Sequence, residues 1–250
     1  MVMTSGLIRI LRLVAVMLVL VGAGLAWAAI RYTEFANQPL LEGATPRDIV
    51  IERGTSYTGM VQQLQRAGIT AADWQWRVLG LVHGTAIQAG EYRVTPAQKP
   101  RELLARMQSG QVLRHNLTIV EGWRLQQFLE LLRNNERLRH VLTGLEPAQI
   151  GERLNLAEFA ADAPRLEGLF LPDTYTYQRG ATDLEILQRA HDAMAATLDR
   201  AWRQRGAGLP LNSRYELLIL ASIVEKETAL VEERPRIAGV FVRRLQRGMR

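Results

Sequence analysis

The feature that most constrains this chain is an uncharged run near its N-terminus. Residues 13–30, LVAVMLVLVGAGLAWAAI, contain no Asp, Glu, Lys or Arg over 18 positions. A helix needs about 20 apolar residues to cross the hydrocarbon core of a bilayer, so this run is just long enough. Arg9 and Arg12 precede the run and Arg31 follows it, which favours an N-terminus in the cytoplasm. We therefore predict a transmembrane helix, with the rest of the chain outside the cytoplasmic membrane.

Two other interpretations of this run stay open at this point. Ala26-Trp27-Ala28 has the small-x-small pattern of a cleavage site, so the run also fits a signal peptide that is removed. A buried core helix is the third interpretation. The position at the extreme N-terminus and the lack of polar residues count against it.

Composition excludes several classes of chemistry. The formal charge of +6 is spread along the 250 residues, which weakly indicates contact with anionic lipid or an anionic polymer and still more weakly indicates nucleic acid. The chain has no cysteine, so disulfides, thiolate nucleophiles and Cys-ligated zinc are excluded. Its four histidines lie far apart and never at metal-ligand spacing, so we predict no metal site.

A strand, a glycine turn and a helix occur twice, about 68 residues apart. The first copy is the β-branched run Asp48–Glu52, followed by a helix with Met60, Val61 and Leu64 on one face. The second copy is Leu117–Gly122, followed by a helix from Leu125 onward. Between them, a strand is predicted at 89–94 and a helix at 100–107. We predict an α+β chain: a transmembrane helix, a small α+β module near 45–115, and a mixed, mainly helical domain from about 116.

Further predictions concern the second half of the chain. LEGLFLPDTYTYQRG, Leu166 to Gly180, is predicted to be a loop because Pro172 has no backbone donor for a ladder or helix. Asp183 is predicted to cap a helix that continues to about Arg205. The last helix is predicted to begin near Asn212-Ser213.

The last helix carries two glutamates in the stretch ILASIVEKETALVEE. At 3.6 residues per turn, Glu227 shares a face with Leu220, Ile223 and Val224, whereas Glu225 lies nearly opposite. We therefore predict that Glu227 is the less solvated of the two. Loss of water raises the pKa of a carboxyl group, which is what a general acid needs near neutral pH.

Simpler interpretations of the same stretch remain. A glutamate at a helix end is commonly solvated or ion-paired, and Lys226 and Arg234 are available as partners. Ser222 and Lys226, four residues apart, also fit a nucleophile and its base, although this spacing is common by chance.

Several segments resemble one known family. SIVEKET, with AGVFVRRLQRGMR after it, is similar to the endolytic murein transglycosylases of the MltG (YceG-like) family. IVEGWRL, AGEYRVTP, LEGLFLPDTYTY and AGLPLN also look like segments of that family. The resemblance covers essentially the whole chain, and ASIVEKET is its most specific part.

The resemblance implies a protein of the cell inner membrane, single-pass, with the bulk of the chain in the periplasm. Family members continue beyond the position that matches Arg250, so it also implies a catalytic domain that is incomplete at its C-terminal end. The implied layout is a short cytoplasmic N-terminus at 1–12, the transmembrane anchor at 13–30, a linker at 31–46, a LysM-like module at 47–115 and the catalytic domain at 116–250.

The implied activity is cleavage of the β-1,4 bond between N-acetylmuramic acid and N-acetylglucosamine within glycan strands, with formation of 1,6-anhydro ends. Lytic transglycosylases carry a Glu-Ser pair at the end of a helix, and Glu227-Thr228 matches it. Glu227 would act first as general acid and then as base, with no metal or organic cofactor. The implied partners are peptidoglycan strands, inner-membrane lipid and peptidoglycan synthases, and no nucleic acid is implied.

The stretch Glu167 to Tyr177 is the predicted wall of a substrate groove. Phe170 and Tyr175 offer flat faces for sugar rings, and Asp173 offers an acceptor for hydroxyl or acetamido groups. Glu167 and Ser222 complete the predicted substrate-binding set. The simpler alternative is that these aromatics only pack the segment onto the core.

Two rival functions remain open. One is a non-catalytic peptidoglycan-binding scaffold. The other is a hydrolytic muramidase, which needs a second carboxylate near Glu227, such as Asp173.

Overall fold

The computed structural model describes residues 3–41, 43, 45–154, 156 and 166–249, with side chains from Ile10 onward. The chain has mixed α+β architecture and divides into two compact units, Met1–Leu113 and Arg114–Arg250. The predicted incompleteness after Arg250, and residues 42 and 44 of the predicted linker, lie outside the described residues.

A single long helix, α1, spans Met3–Asn37. From Ile10 it is long and apolar enough to cross a membrane, with a mean hydropathy of 2.5. Its large apolar side chains from Ile10 to Ile30 are exposed, which does not fit a buried core helix. The helix is compatible with a single-pass membrane anchor.

The helix continues beyond the apolar run, into the segment predicted to be a linker. Tyr32 and Phe35 pack against the core of the first unit, and Ala36 is buried. These apolar side chains recur at helical spacing, so they hold the last turns of α1 on the unit rather than leaving an extended tether.

The first unit is a two-stranded antiparallel sheet with helices packed around it. Its strands pair from Arg47 opposite Val94 to Ile51 opposite Gly90. Fully buried Met60, Leu64 and Trp76 lie in its core. In chain order its elements after α1 are β1 (Arg47–Ile51), α2 (Tyr57–Arg66), α3 (Trp74–His83), β2 (Gly90–Val94) and α4 (Pro100–Ser109).

The second unit has its own two-stranded antiparallel sheet, with Arg114 opposite Gln178 and Thr118 opposite Thr174. Phe128, Leu132 and Leu187 belong to its hydrophobic core. Its elements are β3 (Arg114–Thr118), α5 (Leu125–Arg133), α6 (Pro147–Arg153), β4 (Thr174–Gln178), α7 (Asp183–Arg203), α8 (Arg214–Glu227), a 3-10 turn (Val231–Glu233) and α9 (Arg234–Gln246).

The prediction of a loop throughout 166–180 was wrong, because residues 174–178 form strand β4. Its residues alternate, with Tyr175 and Tyr177 buried and the threonines exposed, which is the period of a strand. The Thr174 hydroxyl lies 2.9 Å from the Thr118 hydroxyl across the sheet. Pro172 precedes the strand, so its missing donor interrupts no ladder hydrogen bond.

The strand and glycine turn predicted over Leu117–Gly122 are both present, but the strand begins and ends earlier than predicted. Strand β3 ends at Thr118, and Gly122 lies in the following turn with φ of 75°. The β-branched residues Ile119 and Val120 had suggested a continuing strand, but the chain leaves the sheet before Gly122.

Helix α7 begins as predicted, but Asp183 is not its cap. The Thr182 hydroxyl accepts the N–H of Glu185, and the Glu185 carboxylate accepts the N–H of Thr182. The buried Asp183 carboxylate instead accepts the N–H groups of Val141 and Leu142, at 3.0 and 3.2 Å.

Asp183→Asn should therefore destabilise the second unit. The amide keeps one acceptor but places an NH2 group against backbone donors, and hydrogen bonds to a charged group contribute about 1.5–3 kcal/mol each. We expect a loss of about 2 kcal/mol in the free energy of unfolding, measured by urea unfolding followed by circular dichroism. Asp192→Asn, on an exposed position of the same helix, is the matched control and should change little. Equal effects of the two substitutions would contradict this role for Asp183.

Candidate active site

Helix α8 positions the predicted acidic residues. It begins at Arg214, where the sequence predicted, because the hydroxyl of Ser213 accepts the N–H of Glu216 at 3.2 Å. Tyr215 and Leu218, in its first half, pack against the core of the second unit. The first half of the helix is thus fixed by packing, and its last turn carries Glu225, Lys226 and Glu227.

The end of α8 is set by Thr228. The backbone of Thr228 is extended, with φ of −148° and ψ of 138°, so the helix cannot continue through it. Its buried hydroxyl donates to Glu233 at 2.9 Å and accepts the N–H of Leu230 at 3.0 Å. These bonds fold the chain back toward α9, which packs against α8.

Glu225 is paired. Its carboxylate lies 3.0 Å from the guanidinium of Arg234, at the start of α9, and both side chains are about one-third exposed. The pairing of a glutamate here with Arg234 was one of the simpler interpretations of the sequence. The carboxylate of Glu225 is therefore engaged within the fold.

The side chain of Glu227 is exposed and makes no hydrogen bond or ion pair to any described residue. The prediction that it would be the less solvated of the two glutamates was wrong. A helical wheel gives the direction of a side chain but not how far along the helix the core extends. Leu220 and Val224 are buried, but Ile223 on the same face is already 37% exposed. The last turn therefore projects beyond the core.

Lys226 makes a long-range contact that the sequence did not reveal. Its ammonium donates to the carbonyl oxygen of Gly122 at 3.1 Å, across 104 residues of sequence. Gly122 has φ of 75° in the turn after β3. The contact brings the IVEGW segment to the end of α8, and no local pattern in the sequence signals it.

Ser222 is not brought together with Glu227. The two residues are five apart on the helix, so their side chains point about 140° away from each other. The Ser222 hydroxyl donates to the carbonyl of Ile219 at 2.7 Å. Lys226 is engaged with Gly122, so the described contacts give no support to a Ser-Lys pair.

Glu167 and Asp173 are both exposed on the segment before β4. The Glu167 carboxylate accepts the N–H of Leu125, at 3.1 and 3.3 Å, and so caps the start of α5. The Asp173 carboxylate accepts the N–H of its neighbour Thr174 at 2.6 Å. Each carboxylate thus has a local structural role as well as an exposed surface.

Phe170 and Tyr175 are buried, at 8% and 5% exposure, so the prediction that they offer open faces to sugar rings was wrong. Phe170 packs edge-on against Phe128, with ring centroids 5.8 Å apart. It precedes Pro172 on a segment that returns to the core. The simpler alternative, in which these aromatics pack the segment onto the core, is the correct one.

The Tyr175 hydroxyl is committed inside the fold. It donates to the carbonyl of Leu171 at 2.7 Å. Burial, with a further contribution from the charge of Asp173, raises the pKa of Tyr175 to about 12. Tyr175 therefore stays protonated across the physiological range and stabilises the segment instead of exchanging protons.

Of the two glutamates in the last turn of α8, Glu227 is the one whose carboxylate has no partner among the described residues. In the described part of the chain, no group of three or more His, Asp or Glu residues is arranged to hold a metal ion. Glu227 can exchange a proton with a molecule bound on the outer surface of this helix end, beside the turn that contains Gly122.

A family model matches most of this chain, and curated and solved proteins are similar to it. The model of the YceG-like family matches residues 49–250. Two curated relatives from Streptococcus pneumoniae, strains D39 and R6, are both named endolytic murein transglycosylase. Each is 29% identical over 189 residues, covering 66% of this chain and 34% of the relative, so the chain spans about a third of their length. A crystal structure of a putative YceG-like protein from Listeria monocytogenes is 21% identical, with a TM-score of 0.39, and covers 83% of this chain and 72% of that one.

The two glutamates should differ in their effect on stability. Glu225→Gln removes a partly exposed ion pair with Arg234 and should lower the free energy of unfolding by about 0.5–1 kcal/mol. Glu227→Gln removes an exposed charge without a described partner and should leave it within about 0.5 kcal/mol. Urea unfolding of the two variants, compared in low and high salt, measures this difference. A larger loss for Glu227→Gln would show that its carboxylate has a structural partner.

Proposed function

The chain belongs to the YceG-like family, and we propose that it is a lytic transglycosylase that cleaves the β-1,4 bond between N-acetylmuramic acid and N-acetylglucosamine within peptidoglycan strands. The relatives named endolytic murein transglycosylase support the reaction. The observation that carries the proposal is the state of Glu227, an exposed carboxyl group without a described partner at the end of α8.

The contacts of the two glutamates favour Glu227 as the proton donor. A general acid must hold a proton and release it to the substrate. Protonation of Glu225 would break its ion pair with Arg234, whereas protonation of Glu227 breaks no described contact. The neighbouring Thr228 is held by Glu233 and Leu230, so the backbone that carries Glu227 is fixed.

We propose that the bound glycan supplies the desolvation that the free site lacks. Ile223 shares the face of Glu227, and Leu230 and Val231 follow the helix end; all three aliphatic side chains are exposed. A sugar chain laid over this surface would remove water from the carboxyl group. Exclusion of water favours the protonated form, which the first step requires.

The mechanism needs only one carboxyl group. Glu227 donates its proton to the glycosidic oxygen as the bond from that oxygen to the muramoyl C1 breaks. The resulting carboxylate then takes the proton from the muramoyl C6 hydroxyl, whose oxygen forms a bond to C1. The product is a 1,6-anhydro end, no water is consumed, and Glu227 is returned to its protonated form. Because the nucleophile belongs to the substrate, it is already positioned, and no second carboxylate is needed to activate water.

Asp173 and Glu167 are proposed contacts for the glycan. Both are exposed on the same segment, and carboxylates accept hydrogen bonds from sugar hydroxyl and acetamido groups. Because Glu167 also caps α5, glycan binding there would be coupled to the position of the turn that contains Gly122. Ser222, on the far side of α8, is left out of this proposal.

We also propose that α1 anchors the chain in the inner membrane and that residues 47–115 form a LysM-like glycan-binding module. The order β1–α2–α3–β2, with the two strands antiparallel, supports the module. The apolar run and exposed side chains of α1 support the anchor. Both would place the second unit in the periplasm, where its substrate lies.

Glu227→Gln should abolish formation of 1,6-anhydro ends. Loss of a general acid typically lowers the rate by about 10²–10⁴-fold. The full-length protein and its variants would be incubated with isolated sacculi, and the soluble products identified by mass spectrometry. Glu225→Gln is the matched control: it should weaken the fold slightly and keep most of the activity.

The products separate the rival functions. Anhydro ends that disappear in Glu227→Gln support the proposal, whereas reducing ends would indicate a hydrolytic muramidase. The absence of soluble products from the unmodified protein would indicate a non-catalytic scaffold. Activity retained in Glu227→Gln and lost in Glu225→Gln would move the acid to Glu225.

A further inference from the structure

Two tryptophans meet where α1 passes the first turn of α3. The rings of Trp27 and Trp74 stack, with centroids 6.4 Å apart and planes 29° from parallel. Trp27 is 61% exposed, and Trp74 is half-buried. Two stacked indoles that remain accessible form an amphipathic surface, with large apolar faces and two N–H donors.

The position of Trp27 along α1 sets the depth of this pair. Trp27 precedes Arg31 by four residues, which is about 6 Å along a helix axis. If α1 crosses the bilayer as proposed, Arg31 marks the outer end of the apolar run and Trp27 lies just inside it. Tryptophan is enriched at this level of the membrane interface. The ring contact then places Trp74 at the same level.

The described residues of α1 show no break between Trp27 and the turns that pack on the first unit. Helix α1 is continuous from the apolar run to Asn37. Phe35 packs edge-on against the fully buried Trp76, with centroids 5.4 Å apart, and Ala36 is also buried. The first unit therefore packs directly on the last turns of the helix that carries Trp27.

The surroundings of Trp74 are polar and charged, as the headgroup layer requires. Arg31 pairs with Glu34 at 3.1 Å, and Arg77 pairs with Asp73 at 2.9 Å, and all four side chains are substantially exposed. The residues that line a groove beside Trp74 include several polar ones. These are Arg31, Glu34, Arg47, Gln65, Asp73 and Gln75. These groups suit phosphate and glycerol oxygens rather than acyl chains.

We propose that Trp27 and Trp74 form a membrane seat, which holds the first unit on the outer leaflet with the start of α3 in the phospholipid headgroup layer. The inference rests on the proposed membrane anchor and goes beyond it, because an anchor alone does not require the exported unit to touch the bilayer. The seat would fix the height of the 47–115 module above the membrane.

Depth-dependent fluorescence quenching tests the seat. In the full-length protein, Trp123 and Trp202 would be replaced by Phe, and the fully buried Trp76 retained as a constant background. Three proteins are then compared. The first keeps Trp74 and carries Trp27→Phe, the second keeps Trp27 and carries Trp74→Phe, and the third carries both substitutions. Phenylalanine keeps a ring at each position, and circular dichroism confirms that the fold is retained. The quencher is bromine, carried by the phospholipids of the vesicles near the headgroup end of their acyl chains.

We expect the lipid bromine to quench the emission of Trp74 and that of Trp27 to a similar extent. Both should be quenched more than the emission of the protein in which both residues are replaced. If Trp27 is quenched but Trp74 is quenched only to the background level, the seat is overturned and the anchor is retained. Background quenching of both would overturn the anchor and the seat together. None of these readouts depends on glycan cleavage, so they are independent of whether Glu227 is catalytic.

Discussion

The candidate active site depends on how the last turn of α8 is held. Two of its residues and the residue that ends the helix reach other segments: the contacts join Glu225 to Arg234, Lys226 to Gly122 and Thr228 to Glu233. Each contact is modest alone: a partly exposed ion pair contributes about 0–1 kcal/mol, and a single hydrogen bond contributes about 0.5–3 kcal/mol depending on its charge. Together they fix the direction of the helix end, and Glu227 is left without a described partner. An exposed side chain on a fixed backbone is suited to act on a ligand.

The sequence predicted much of the fold wherever periodicity and turn residues agreed. Helix α2, with Met60, Val61 and Leu64 on one face, and the beginning of α8 at Ser213 were both confirmed. Helix α3 was not predicted. Its segment WQWRVLGLVH is mostly apolar, and its apolar residues include Leu81 and Val82, which are exposed. The apolar residues therefore do not mark a single buried face in the sequence. Strand β4 was missed because Pro172 outweighed the alternation of the residues that follow it.

The site was predictable only in part, for a physical reason that Glu225 and Glu227 illustrate. A helical wheel gives the direction of each side chain around the helix axis, and it placed Glu227 on the face of Leu220 and Val224. Whether that face is covered at the helix end depends on the neighbouring elements, which the wheel does not contain. The burial of Phe170 and Tyr175 could not be predicted for the same reason. The sequence of a polar and aromatic segment around a proline is the same whether its rings point outward or into the core. The contact of Lys226 with Gly122 is set by tertiary structure alone.

The exposure of Glu227 bears on which glycan bonds could be cut. An acid at the base of a closed pocket can meet only a chain end that threads into the pocket. A carboxyl group on the outer surface of a helix end can be approached sideways by a long polymer, at any of its internal bonds. The same openness removes the low-dielectric surroundings that a general acid needs, so the polymer itself must exclude the water. The proposed cleavage within strands and the proposed activation of the acid by a bound glycan would therefore both follow from the exposure of Glu227.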